Sequence, residues 1–324
     1  MTGPFAALEA AARWVTAHAA GLDPETHLGS SVAFFLYDVP KVMLLLVGIS
    51  FAVGVLQTWL EPARVRRLLG GKRTFAGNVL AAGIGIFTPF CSCSAVPLFI
   101  GFLKGGVPLG VTFSYLVSAP MVNEVAVALL WGLFGWKVTV VYVGFGVALA
   151  IVSGIVIGLL KLEQWVEPFV WEIPAAEAGE AAAALTMGER VKEGWRSSRE
   201  IFGKVWPYIV GGIGVGAVIH GYVPAEMIVK VAGRDNPFAV PVAVLIGVPL
   251  YANVAGVLPV TEALAAKGMP LGTVLAFTMA VTALSLPEMI ILRNVLKPKL
   301  LGVFAGLLAV GITGVGYLFN ALMG

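Results

Sequence analysis

The sequence predicts an all-α polytopic membrane protein made of two inverted repeats, each with about three transmembrane helices and one broken re-entrant hairpin, eight hydrophobic segments in all. Three observations carry this. Of 324 residues, 59% are hydrophobic and only 12% are charged, with a mean hydropathy of +0.93; that is too little polar content to coat a soluble globule. Apolar stretches cover 42–60, 75–103, 107–135, 138–160, 205–225, 237–266, 269–292 and 300–323, against the about 20 residues that a spanning helix needs. The chain also matches itself at a single constant spacing.

Taken in order, residues 1–38 lack the basic start and small-residue cleavage site of a signal peptide, and 4–20 reads as an amphipathic helix lying at the membrane interface. The first membrane repeat occupies 39–162. Its segment 75–103 is longer than one crossing and shorter than the roughly 40 residues of two. It is interrupted by Thr88, Pro89, Cys91, Ser92, Cys93 and Ser94, so it reads as two half-helices meeting at a broken tip. Residues 163–204 form a polar, charge-rich cytoplasmic linker. The second repeat, 205–324, carries the matching hairpin at 237–266, with its tip at 249–256.

The repeat rests on a spacing of 162 residues, which sets Gly54 on Gly216, Pro62 on Pro224, Gly85 on Gly247, Pro97 on Pro259, and Pro108-Leu109-Gly110 on Pro270-Leu271-Gly272. The glycine pairs alone exceed the roughly two that chance would give. Three crossings plus a hairpin is an odd count, so the second repeat is inverted. That topology places 15 of the 21 lysines and arginines on the cytoplasmic side, as the positive-inside rule requires.

Interrupted segments at matching positions of inverted halves point to a transporter's midplane site. Cys91 and Cys93 are the only cysteines, and their i, i+2 spacing disfavours an unstrained disulfide. In a turn both sulfurs could face one ligand. Thiolates select soft centres such as Cu(I) or Zn(II), and two of them match the two exchangeable positions of a trivalent organoarsenical. Thr88, Ser92, Ser94, Asn123 and Asn253 are candidate path-lining residues. Glu124 and Glu288 are intramembrane carboxylates, hence proton-coupling candidates, and their surroundings, 118–124 and 282–288, align at a local spacing of 164.

His18, His27 and His220 have no metal-ligand spacing. No nucleotide-binding signature is present, and no cofactor is expected. A net charge of +3 with no basic aromatic patch excludes nucleic acid. The expected partners are the bilayer and a small solute, with a homo-oligomer left open.

The run Thr-Pro-Phe-Cys-Ser-Cys-Ser at 88–94, the turn Gly105-Gly106-Val107-Pro108-Leu109-Gly110 and Ser118-Ala119-Pro120 together resemble the ArsP-type permease family of bacterial membrane permeases over most of 40–323. The resemblance implies a non-enzymatic, multi-pass protein of the prokaryotic cytoplasmic membrane that exports trivalent organoarsenicals or soft metals, with Cys91 and Cys93 as thiol ligands. A membrane thiol-disulfide protein cycling the same two cysteines is the alternative.

Overall fold

The structure, a computed structural model, describes residues 6–18, 21–23, 26–57, 69, 74–86, 92–170, 186–222, 232–233, 236–250 and 254–323. It is helical, with one isolated antiparallel bridge, Val166 to Leu296, among the described residues. The helices are α1 (Ala6–His18), α2 (His27–Gln57), α3 (Thr74–Ile86), α4 (Ser92–Lys104), α5 (Leu109–Met121) and α6 (Glu124–Leu159). They continue as α7 (Met187–Tyr222), α8 (Ala239–Gly247), α9 (Val254–Ala266), α10 (Leu271–Ala283), α11 (Leu286–Arg293) and α12 (Pro298–Met323).

Four stretches are long and apolar enough to cross a bilayer: His27–Ala52, Ala126–Leu159, Leu271–Arg293 and Pro298–Met323. Their outer faces carry large apolar side chains, Leu44, Leu159 and Val310 each being more than 60% exposed. That is what lipid contact demands and water contact forbids.

At the centre lie α5 and α10. All of α5 is buried, and so is every residue of α10 after its first. Each has 13 residues, about 20 Å at 1.5 Å per residue, well short of the hydrocarbon thickness of about 30 Å. A helix apolar all round is buried all round. Three hydroxyls of this pair turn back onto the backbone of their own segment: Thr112 donates to the Pro108 carbonyl (3.1 Å), Thr278 to Val274 (2.9 Å) and Thr282 to Thr278 (3.0 Å).

Local geometry repeats at the spacing of 162. Leu271 follows Leu109 by 162 residues, and both helices run 13 residues from a proline N-cap, Pro108 (φ −55°, ψ 139°) and Pro270 (φ −57°, ψ 136°). The turn before each has a left-handed glycine, Gly106 (φ 76°) and Gly268 (φ 87°), a conformation that costs any other residue. Its hydrogen bonds also correspond, Gly106 N–H to Leu103 and Val107 N–H to Phe102 in one case, Gly268 N–H to Ala265 and Met269 N–H to Leu264 in the other. Close approaches repeat as well. A Cβ on Gly110 would meet Gly154 and Gly158, and one on Gly272 would meet Gly316 and Asn320.

Packing between the two halves is reciprocal. Helix α2 lies along α7: Gly194 fits against Phe51 and Val55, the Ser198 hydroxyl donates to the Val47 carbonyl (3.0 Å), and Gly214 sits at Phe35. Rising numbers on one helix meet falling numbers on the other, so the two run antiparallel. The later part of α6 and α12 also run oppositely, through Leu149 on Gly311 and Phe145 on Phe319 (5.4 Å between rings). α5 packs on α10, while α4 meets α11 as α9 meets α6.

Four boundaries differ from the sequence reading. Helix α2 begins at His27, ahead of the expected segment 42–60, and α7 begins at Met187, running unbroken through the expected boundary at 204. Segments 107–135 and 269–292 are each cut, at Val122-Asn123 and at Leu284-Ser285. Asn123-Glu124 and Ser285 are the polar positions there, and the backbone geometry shows that a helix ends at each. Residues 4–20 do contain a helix, α1, which packs on α2.

Candidate functional site

The two interruptions are built with different chemistry. After Met121 the chain turns extended at Asn123 (φ −106°, ψ 167°), whose side-chain oxygen accepts the Ala126 N–H at 2.8 Å and so starts α6. This is an N-cap, satisfying one of the free donors of a helix start. The last carbonyl of α5, on Met121, accepts the Tyr142 hydroxyl at 3.1 Å, with Thr282 of α10 alongside. In the second half Ser285 (φ −64°, ψ 143°) opens α11 without a side-chain cap bond, Pro287 lies in the first turn, and the Leu286 N–H donates to Val248 at 2.7 Å. Polar backbone ends at membrane depth are thus met by protein groups, which lipid cannot supply.

The helix starts fix the register of the two carboxylates. N-caps Asn123 and Ser285 are 162 residues apart, so Glu124 corresponds to Leu286, and Glu288 to Ala126. Exposure follows that pairing: Glu124 and Leu286 are both exposed, whereas Ala126 (0%) and Glu288 (1%) are both buried. The local 164 alignment of the two glutamates is therefore not the structural one. Two residues along a helix turn a side chain by about 200°, so the carboxylates occupy opposite kinds of surroundings. Asn123, between them in burial, serves as a cap.

Ser92, Cys93 and Ser94 form the first turn of α4, and their counterparts are Val254, Ala255 and Gly256 at the start of α9. Thr88, Cys91 and Asn253 lie outside the described residues. Helix α4 packs on α2, α5 and α11. The helix whose second residue is Cys93 thus packs against the helix that carries the buried Glu288. Among the described residues no group of three or more His, Cys, Asp or Glu side chains is arranged to hold a metal.

Sequence reasoning missed a charge pair on α2. Asp38 is buried (7%), its carboxylate lies 3.4 Å from the Lys41 ammonium, and that ammonium sits 4.8 Å above the Tyr37 ring. The signal was present as opposite charges three apart beside an aromatic, but the expected segment began only at 42. Two buried polar links were missed as well: Ser114 donates to Asn78 (2.7 Å), tying α5 to α3, and Asn320 donates to Thr273 (3.1 Å), tying α12 to α10. They occupy non-corresponding positions, so a search for repeated residues passes over them.

The profile of the ArsP_1 family, described as a predicted permease, matches residues 27–321. A UPF0718 protein of Methanocaldococcus jannaschii is 20% identical, covering 88% of this chain and 93% of its own length. A UPF0718 protein of Escherichia coli, YraQ, is 26% identical over 77% of this chain and 69% of its own. A Streptococcus mutans protein named as a candidate two-component membrane permease complex subunit is 22% identical over 86% and 93%. No solved structure matches the chain.

Proposed function

The chain belongs to the ArsP_1 predicted permease family, and on that premise we propose that it is a secondary-active permease of the prokaryotic cytoplasmic membrane exporting a small thiophilic solute. A multi-pass permease implies a bilayer and a solute; which solute is the proposal. Cys91 and Cys93 take it, and a trivalent organoarsenical, with two exchangeable positions, is the guest that two thiols suit best. Thr88, Ser92, Ser94, Asn123 and Asn253 line the route.

The observation that carries this reading is the half-length pair α3 and α4, of 13 residues each, with Cys93 as the second residue of α4. Helices of about 20 Å cannot cross alone; entering and leaving on one side brings their ends to mid-membrane. The inverted arrangement of the halves is supported by the recurrence of α4 to α6 as α9 to α12 and by the antiparallel run of α2 along α7. Coupling is assigned to Glu288, which is buried on the helix against α4, in preference to the exposed Glu124. A carboxylate in such a place is expensive unless it binds a proton or a partner in turn.

Uptake into everted vesicles tests this, with methylated and aromatic As(III), Cu(I) and Zn(II) as separate arms and Cys91→Ser and Cys93→Ser as comparisons. Flux of an organoarsenical lost in both variants supports the reading. Thiol-dependent flux of Cu(I) or Zn(II) alone moves the substrate to a soft metal. Thiol-dependent redox turnover with no flux of any solute replaces transport by disulfide exchange, and equal flux in wild type and double variant removes the cysteines from the route.

A further inference from the structure

After α6 the chain makes two short 3-10 turns, Glu163–Trp165 and Pro168–Val170, and clips onto the link between α11 and α12. The Glu167 N–H donates to the Val295 carbonyl (2.9 Å), the Lys297 N–H to the Trp165 carbonyl (2.8 Å), and buried Val166 pairs with buried Leu296. Between clip and link opens a depression of about 650 Å³, bounded by Trp165 and Glu167 on one side and Arg293, Lys297 and Lys299 on the other. No counterpart of the clip belongs to the internal repeat, because it follows α6, the last helix of the first half.

The charge there is unbalanced. Arg293 reaches Glu167 at 3.3 Å, and the Lys297 ammonium donates to the Gln164 carbonyl at 3.0 Å. Lys299 is exposed and has no hydrogen bond or ion pair among the described residues. Three cations therefore share one carboxylate. Pro298 opens α12 at the same spot, adding the positive end of a 26-residue helix. Since α12 is a candidate span, its first turn lies at the boundary between membrane and water.

A second feature runs away from the depression. The exposed face of α12 descends from Lys299 through Gly302, Gly306, Val310 and Gly314, at helical spacings of three and four. At all three of those glycines a Cβ would meet nothing within 4 Å. This leaves shallow, side-chain-poor gaps on either side of the exposed Val310, the first of them a channel running from the cations past Gly302 and Gly306 toward mid-membrane.

We propose that the depression binds the phosphodiester headgroup of an anionic phospholipid, with an acyl chain lying along the glycine channel of α12. The volume accommodates a glycerophosphate headgroup. Basic residues with a tryptophan at a helix end suit the boundary, and a channel of apolar walls has use for a lipid tail and none for a free phosphate ion. Occupancy would tie the clip, α11 and α12 together through one ligand.

Native mass spectrometry of the full chain, released from a neutral detergent, tests the assignment with phosphatidylglycerol, phosphatidylcholine and inorganic phosphate as separate additions. One retained phosphatidylglycerol per chain, at least tenfold preferred over phosphatidylcholine and not displaced by millimolar phosphate, is expected. Lys299→Gln weakens it by about fivefold, the weight of one basic residue near a charged headgroup. Gly306→Leu, remote from the cations, weakens it by filling the channel. Both positions are exposed, so each variant keeps its fold, as its elution and melting confirm. Equal retention of the two lipids, or retention unchanged in both variants, overturns the proposal. Displacement of the lipid by phosphate makes it a site for free anions. A lipid-free dimer broken by Gly306→Leu makes the channel a contact between copies.

Discussion

Gly110→Ala should destabilise the protein through backbone contact alone. A Cβ there would overlap the Gly154 carbonyl and lie 2.9 Å from the Gly158 Cα and 3.0 Å from its nitrogen. None of these atoms belongs to a side chain that could swing away, so α5 and α6 must separate. In a bilayer, helices are held by close van der Waals packing of small residues and not by a hydrophobic drive; separating them removes what joins them. Overpacking of this kind costs about 1–3 kcal/mol, and a fully buried site with backbone neighbours belongs at the upper end, about 3 kcal/mol. Replacing glycine by alanine in a helix returns up to about 1 kcal/mol, leaving a net loss of about 2 kcal/mol. Gly144→Ala, on the same α6 with nothing within 4 Å of its added Cβ, keeps only the gain. The two variants then differ by about 3 kcal/mol, and thermal melting in mild detergent should place Gly110→Ala about 6–12 °C below Gly144→Ala. Equal melting temperatures would refute the close approach of α5 and α6. Gly272→Ala, facing Gly316 and Asn320, should lose a similar amount, since the second half packs by the same contacts.

Asn123→Ala removes the cap bond to Ala126 and should cost about 1 kcal/mol, whereas Ser285→Ala, which removes no cap bond, should be near neutral; equal losses in chemical denaturation would contradict the two different helix starts. Tyr142→Phe leaves the buried Met121 carbonyl without its hydroxyl donor and should cost about 1–3 kcal/mol by the same measurement; an unchanged midpoint would show that the hydroxyl is not needed at the break. At the start of α7, outside the spans, the Thr186 N–H (2.8 Å) and hydroxyl (2.7 Å) both donate to Glu189, which holds its carboxyl below the ordinary glutamate value. Because the folded value is the lower one, the contribution is complete above the unfolded value and is lost as pH falls through the folded one. Protection of the amides at 187–190, taken relative to their intrinsic exchange rate, should fall over that acid range in wild type and stay level in Glu189→Gln; identical profiles would remove this cap.

Much of the architecture was legible in the chain because the chain states parts of it twice. The proline and glycine pairs around 106–110 and 268–272 mark turns that only those residues permit, and both turns form the same hydrogen bonds. Within 75–103 the two short helices α3 and α4, of 13 residues each, match the half-length elements that the segment's length suggested. The breaks at 122–123 and 284–285 were not legible, because a single Asn123 or Ser285 within a long apolar segment does not by itself mark a helix end. The register of Glu124 and Glu288 misled for a related reason: Pro120 and Pro287 look equivalent in a local alignment, yet Pro120 lies inside α5 and Pro287 at the start of α11.

By itself the sequence determined that the chain is helical with apolar segments of membrane length, that its proline and glycine positions recur at a spacing of 162, and where along the chain its two cysteines fall. These follow from composition, periodicity and spacing, which are properties of neighbours along the chain. Only the tertiary structure decided which carboxylate is buried, that α4, with Cys93 as its second residue, lies against α11, and that the clip at 163–170 closes over the link between α11 and α12. Each of those depends on the angle at which a helix starts and on which partner it meets across the halves, and both are fixed by contacts between residues more than a hundred positions apart.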